Sequence, residues 1–144
     1  MRNFCVGSGK VIVMQLQKGE LVLETIIEQL ERLEVKNAVL ISGVGSFRKL
    51  NIHYTIQNTD VPVDKQITLD EAVEIGCMQG IVLDGEPHIH LTCTHGNSVE
   101  SYTGHLHEGN EVLYLLELAF LILDDEPALT RKKDSLGISY IDLK

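Results

Sequence analysis

Polar and apolar residues alternate twice in close succession near the middle of the chain. Pro87-His88-Ile89-His90-Leu91-Thr92-Cys93-Thr94-His95 is followed, beyond Gly96-Asn97, by Ser101-Tyr102-Thr103-Gly104-His105-Leu106-His107. A period of two predicts a pair of short strands, and Gly96-Asn97 reads as the hairpin turn between them. Successive side chains on a strand point to opposite faces, so His88 and His90 share one face while Ile89 and Leu91 take the other. With Gly96-Asn97 as the two loop residues, His95 pairs with Ser98, which sets His88 opposite His105 and His90 opposite Thr103. Opposed residues lie on one face with Cβ atoms roughly 5 Å apart. His107 falls on that face one step further along, and His95 falls on the other.

The rest of the chain carries similar signals. Lys10 to Leu16 reads as a first strand. After Lys18-Gly19-Glu20, the residues Leu23, Ile26, Ile27, Leu30 and Leu33 recur at helical spacing, with Glu24, Glu28, Glu31 and Arg32 on the other side. That is an amphipathic helix that covers a sheet. Ala38 to Ser42 reads as a buried strand running into a tight turn or bulge at Gly43-Val44-Gly45-Ser46. Leu50 to Ile56 alternates cleanly and puts His53 on its polar face, where a solvated imidazole is expected. Asn58 to Asp70 reads as a polar loop. Glu71 to Leu83 resumes strand character, with Gly76 and Gly80 as bulge positions, and Asp84-Gly85-Glu86-Pro87 turns into the histidine segment. Val112 to Leu123 is apolar on both faces of a strand and needs cover on both. One amphipathic helix shields only one face, so the other falls to a second layer or a partner subunit. Glu117, within that run, requires a donor such as an arginine, or a role near a ligand. Asp124 to Ser135 reads as a charged loop in which Arg131-Lys132-Lys133 is solvated, and Gly137 to Leu143 as a final strand.

Composition narrows the function classes. The 144 residues suit one domain with a real core, and 44% hydrophobic with 23% charged residues is ordinary for a globular protein. A net charge of −9 opposes non-specific nucleic-acid binding. The odd number of cysteines, Cys5, Cys77 and Cys93, at unrelated spacings, indicates a reduced compartment without a disulfide framework. No signal core follows Arg2, and no run reaches the roughly 20 apolar residues of a membrane span. A cytoplasmic protein is the expectation. Gly7-Ser8-Gly9-Lys10 lacks the strand before it and the Ser or Thr after it that a phosphate loop requires. Gly43-Val44-Gly45 lacks the third glycine and the helix of a dinucleotide site.

Five of the six histidines lie between residues 88 and 107. Imidazole nitrogen suits zinc, copper, iron and nickel, and three histidines with a water form an open zinc arrangement. His88, His90 and His105 are the expected ligands, and a divalent ion, zinc foremost, the expected cofactor. His107 is a candidate fourth ligand or a solvent-facing neighbour, and Glu117 a candidate ligand or hydrogen-bonding support. A cupin would need a glutamate four or five residues beyond its His-x-His, whereas the next here is Glu100.

The order of these pieces resembles the PPC family (plants and prokaryotes conserved domain, formerly a domain of unknown function). The matching residues are Leu16 through Gly19-Glu20, Ala38 through Ser46, Val73-Glu74-Ile75 with Gly80, Pro87 through His90, Gly104-His105-Leu106 with Gly109, and Glu117. The resemblance implies an α+β fold, a largely antiparallel sheet packed by a helix, assembled as a homotrimer. It also implies, for stand-alone prokaryotic members, a metal held by the positions of His88, His90 and His105. Plant relatives carry an Arg-Gly-Arg-Pro type DNA-binding hook ahead of the domain. These 144 residues contain no such segment, so the plant DNA role is not carried over.

Three functions remain open at this level: a metal-binding homotrimer with a binding or regulatory role, a small metalloenzyme, and a DNA-associated protein. In the second, an open coordination position would activate water or polarise a carbonyl of a small-molecule ligand, with Glu74, Glu100, Glu108 or Glu117 as general base. No nucleophile elbow or phosphate loop selects a reaction.

Overall fold

A computed structural model describes residues 1–144. The chain runs β1 (Ser8–Gln17), α1 (Val22–Arg32), β2 (Ala38–Thr55), β3 (Asp64–Leu69), β4 (Val73–Leu83), β5 (Glu86–His95), β6 (Ser101–Leu106), β7 (Glu111–Leu123), β8 (Leu129–Lys133) and β9 (Ser139–Leu143). Strands β1 to β7 form one antiparallel sheet in the order β1-β7-β2-β4-β5-β6, with β3 also on β2; β8 and β9 form a separate ribbon. This is the expected α+β arrangement of a largely antiparallel sheet packed by one helix.

Helix α1 buries Ile26 and Leu30 of the predicted amphipathic stripe together with Val22, while Leu33 of that stripe is exposed. The three buried residues join Leu40, Phe47, Ile52, Ile89, Leu91, Leu116 and Phe120 in a single core on the inner face of the sheet. Each such side chain contributes about 1.5–3 kcal/mol when withdrawn from water.

The long strand β2 shapes the rest. The expected break at Gly43-Val44-Gly45-Ser46 is a bulged, continuous stretch, with irregular pairing to β7 between Leu40 and Ser42, Gly45 and Phe47, and Phe47 and Lys49. Bulges bend a strand and increase its twist. The first half of β2 therefore lies between β7 and β4, while its end pairs with β3 and, through Ile52↔Leu106 and His53↔His105, with β6. Strands β2, β4, β5 and β6 thereby close into a ring.

Several expectations are corrected. Asp64–Leu69, inside the expected polar loop, is strand β3, held by the backbone ladder to Leu50–Thr55 rather than by burial of its own side chains. Leu129–Lys133, within the expected charged loop, is β8 paired with β9. Gly76 does sit at a bulge opposite β5, but Gly80 pairs regularly with Ile89. Asp84 and Gly85 make the two-residue turn between β4 and β5, with φ of 54° and 80°, the left-handed pair that a type I′ hairpin requires.

The outer face, away from α1, is strongly apolar over part of its width. Val11, Leu121, Val39, Ile81 and His88 form one cross-strand row, each directly opposite the next. Val13 is 77% and Ile41 53% exposed. No helix is long and apolar enough to cross a membrane.

Candidate metal centre

The histidine hairpin forms, with a longer loop than its sequence suggests. His95 N–H donates to the Glu100 carbonyl at 2.9 Å, leaving Gly96 to Val99 as the loop, and Gly96 N–H donates to Ala72 O at 2.7 Å. The register therefore shifts by two residues, so that His90, not His88, faces His105, and Thr92 faces Thr103. An even shift preserves every side chain's face. His88, His90 and His105 still converge, with one ligating nitrogen from each lying within 4.8 Å of the others. His88 Nε2 and His90 Nε2 are 3.1 Å apart. Two nitrogens bound at the usual zinc distance in a tetrahedron are about 3.3 Å apart, so the His88–His90 pair matches the spacing of two ligands on such an ion.

Buried apolar neighbours fix the strands beneath the site. Ile89 and Leu91 flank His90 and point into the core, and Leu106 does the same beside His105. Burial among neighbouring rings pulls His105 from the ordinary histidine range down to about 4, aided by the positive charges of His88, His53, His90 and His107. His88 is lowered by burial and then by Arg131, His90 and His53, and His90 by burial and then His53. All three rings are thus neutral at neutral pH with lone pairs available, the state that metal ligation needs.

His53 and His107 complete a five-histidine cluster. His53, expected to be solvated, is brought opposite His105 by the β2–β6 closure. Its ring lies 4.9 Å from His105 and 4.8 Å from His107 between centroids, and its Nδ1 is 2.6 Å from His107 Nε2. His107 lies just past β6 and follows β2 instead of β5, its N–H donating to Asn51 O at 3.1 Å. Its nitrogen meets His53 and falls outside the group formed by His88, His90 and His105. Burial and the His53 charge lower its pKa, and Glu108 opposes that shift. The sequence signal for His53 is only its place on the polar side of a strand; its partner is 54 residues away.

The other singled-out residues lie elsewhere. His95 Nε2 is 2.7 Å from Glu71 Oε2 and its Nδ1 3.0 Å from Ser98 Oγ, an arrangement that clamps the hairpin loop. Glu117 is exposed on β7 between Gln15 and Val44; it needs no buried donor in this chain, and β2 and β4 separate its strand from β5. Glu100 accepts from Tyr102 Oη at 2.7 Å, and Glu74 pairs with Ser46 and Thr94. Arg131 is not simply solvated: its guanidinium donates to Glu86 O at 2.9 Å and Ile81 O at 2.8 Å, pinning β8 to the β4–β5 hairpin. Beside it opens a cleft of about 760 Å³ lined by Val39, Ile41, Ile81, His88, His90 and Tyr140, among others.

The sequence profile of the Plants and Prokaryotes Conserved (PCC, also written PPC) domain matches residues 4–123. The chain belongs to this family. Three solved structures place its PPC fold in context. A metal-containing protein from Archaeoglobus fulgidus shares 31% identity over all of both chains, with a TM-score of 0.80. A PPC protein from Pyrococcus horikoshii shares 24% identity over 99% of this chain and 97% of its own, with a TM-score of 0.81. A protein from Bacteroides thetaiotaomicron, described as a candidate DNA-binding protein, has the same fold at 16% identity, covering 96% and 97% of the two chains with a TM-score of 0.74. No match is found among proteins with curated descriptions.

Proposed function

We propose that this PPC protein binds one divalent metal ion, zinc by preference, through His88, His90 and His105, as a homotrimer with a binding or regulatory role. The observation that carries the reading is the convergence of three imidazole nitrogens within 4.8 Å on rigid, paired strands. The Archaeoglobus relative, itself described as metal-containing, supports it. A bound zinc ion would supply Lewis acidity and a coordination position for water or a small-molecule donor. The chain's own part is to hold three neutral imidazoles in place and to keep the metal beside the cleft of about 760 Å³.

That cleft favours a second reading, a small metal-dependent enzyme, because a substrate in it would lie against His88 and His90. None of the four carboxylates considered as base lines it, so the binding or regulatory role is preferred. The DNA-binding description of the Bacteroides structure is not extended to this chain, whose net charge is −9. Metal content of the purified protein and of His88→Ala, measured by inductively coupled plasma mass spectrometry, tests the proposal. One equivalent per chain in the parent and a large loss in the variant are expected; an unchanged content in His88→Ala overturns it.

A further inference from the structure

We propose that His53 and His107 form a second divalent-cation position beside the first, a site for a borderline transition-metal ion such as zinc, nickel or copper(II). The geometry around His53 points to a ligand. Its Nε2 lies 3.7 Å from Asp64 Oδ2, and Asp64 is itself held by Thr55 Oγ1, which donates to Oδ1 at 2.9 Å. The Nε2–Oδ2 separation is longer than a hydrogen bond, so the carboxylate contributes negative charge on the Nε2 side of the ring and leaves the Nδ1 side to another partner. The ring's other nitrogen, Nδ1, stands 2.6 Å from His107 Nε2. Opening that pair to the roughly 3.3 Å of two ligands on one tetrahedral ion needs less than about 1 Å of side-chain movement.

His107 is also built into place. The wholly buried Asn110 side chain donates to His107 O at 2.7 Å and to Asn51 O at 2.8 Å, and accepts from Asn51 N–H at 2.8 Å. A satisfied buried network of this kind is rigid, and it sets the backbone of His107 against β2 two residues before His53. The His105 ring stands between the two groups, with its centroid 4.9 Å from both His53 and His88. Two protein ligands hold an ion less tightly than three, and a neighbouring cation repels it. The second position therefore binds more weakly than the first, by tenfold or more, and water completes it.

Equilibrium dialysis of the full-length protein against graded zinc, with bound metal counted per chain, tests the inference. Two equivalents are expected at saturation, one tight and one weak. His53→Gln and His107→Asn, on different strands, should each lose the weak equivalent and keep the tight one. His88→Ala should weaken the tight one by roughly 100-fold and leave the affinity of the weak one unchanged, so failure at one position is distinguishable from failure at the other. A single equivalent in the parent protein overturns the proposal. So does a weak equivalent that survives both His53→Gln and His107→Asn, or one that disappears in His95→Ala instead.

Discussion

A Cβ placed on Gly104 would lie 2.5 Å from the carbonyl oxygen of His53. Strand β6 reaches the end of β2 only because residue 104 has no side chain, and that approach sets His105 opposite His53. Gly104→Ala should force β6 and β2 apart and lower stability by about 1–3 kcal/mol, the usual range for overpacking. It should also weaken metal binding by displacing His105. Thermal unfolding and zinc titration of the variant check this; parent-like values in both would show that the closure does not depend on the glycine.

The three proposed ligands should respond alike. Removing one imidazole from a three-histidine site leaves two protein ligands, so His88→Ala, His90→Ala and His105→Ala should each weaken the tight zinc equivalent by roughly 100-fold, or about 2.7 kcal/mol. His95→Ala should leave it unchanged, since that ring is committed to Glu71 and Ser98. Competition against a chelator of known affinity measures the difference. Equal affinity in the parent and His90→Ala would contradict the assigned geometry.

Face parity was legible in the local sequence, and strand closure was not. His88, His90 and His105 could be assigned to one face because alternation depends only on neighbouring residues. The pairing of His90 with His105 depends on a loop whose ends are fixed by contacts with Glu100 and Ala72, and Gly96-Asn97 alone suggests a tighter turn. His53 was obscured for a different reason. Its meeting with His107 requires bulges in β2, a glycine in β6 and the buried Asn110, none of which has a local pattern near residue 53. Strands β3 and β8 carry no alternating signal because their residues are mostly polar and partly exposed. They are strands by backbone pairing, not by hydrophobic alternation.

The pKa shifts give the metal-free protein a definite pH response. His105 is depressed to about 4 in the folded chain, against roughly 6.5 when unfolded. As pH falls through that interval the unfolded chain takes up a proton that the folded one refuses, so stability is lost on acidification between about 6.5 and about 4. His88 and His90 shift in the same direction. Partial exposure moderates the size of the effect, but not its sign. Melting temperatures of chelator-treated protein should fall across this window, and less steeply in His105→Gln. Parallel profiles for the two proteins would contradict the role given to burial of His105.

The acidic balance predicts negligible affinity for double-stranded DNA. Neutralisation of phosphates by basic side chains supplies most non-specific binding, and the chain carries 21 acidic against 12 basic residues. Gel-shift assays with an AT-rich duplex at about 0.15 M salt should show no complex at micromolar protein. Sub-micromolar binding would overturn the preference for a metal-centred role.

The outer face of the sheet predicts self-association. Strand β7 is apolar on both faces; α1 and the core cover the inner one, while Val11, Val13, Ile41 and Val44 remain exposed on β1 and β2. Ribbon β8–β9 is the chain's only other sheet layer, and it is pinned at the β4–β5 end through Arg131. A second copy of the chain is therefore the natural cover for the rest, consistent with the homotrimer proposed above. The row from Val11 to His88 runs along this face, so assembly and metal binding should be coupled. Val13→Asp tests this without touching the core, because Val13 is 77% exposed within one chain. Light scattering coupled to size exclusion should give the mass of three chains for the parent and a smaller species for Val13→Asp. A stable monomer of the parent at micromolar concentration would refute the trimer and leave the apolar face without an occupant.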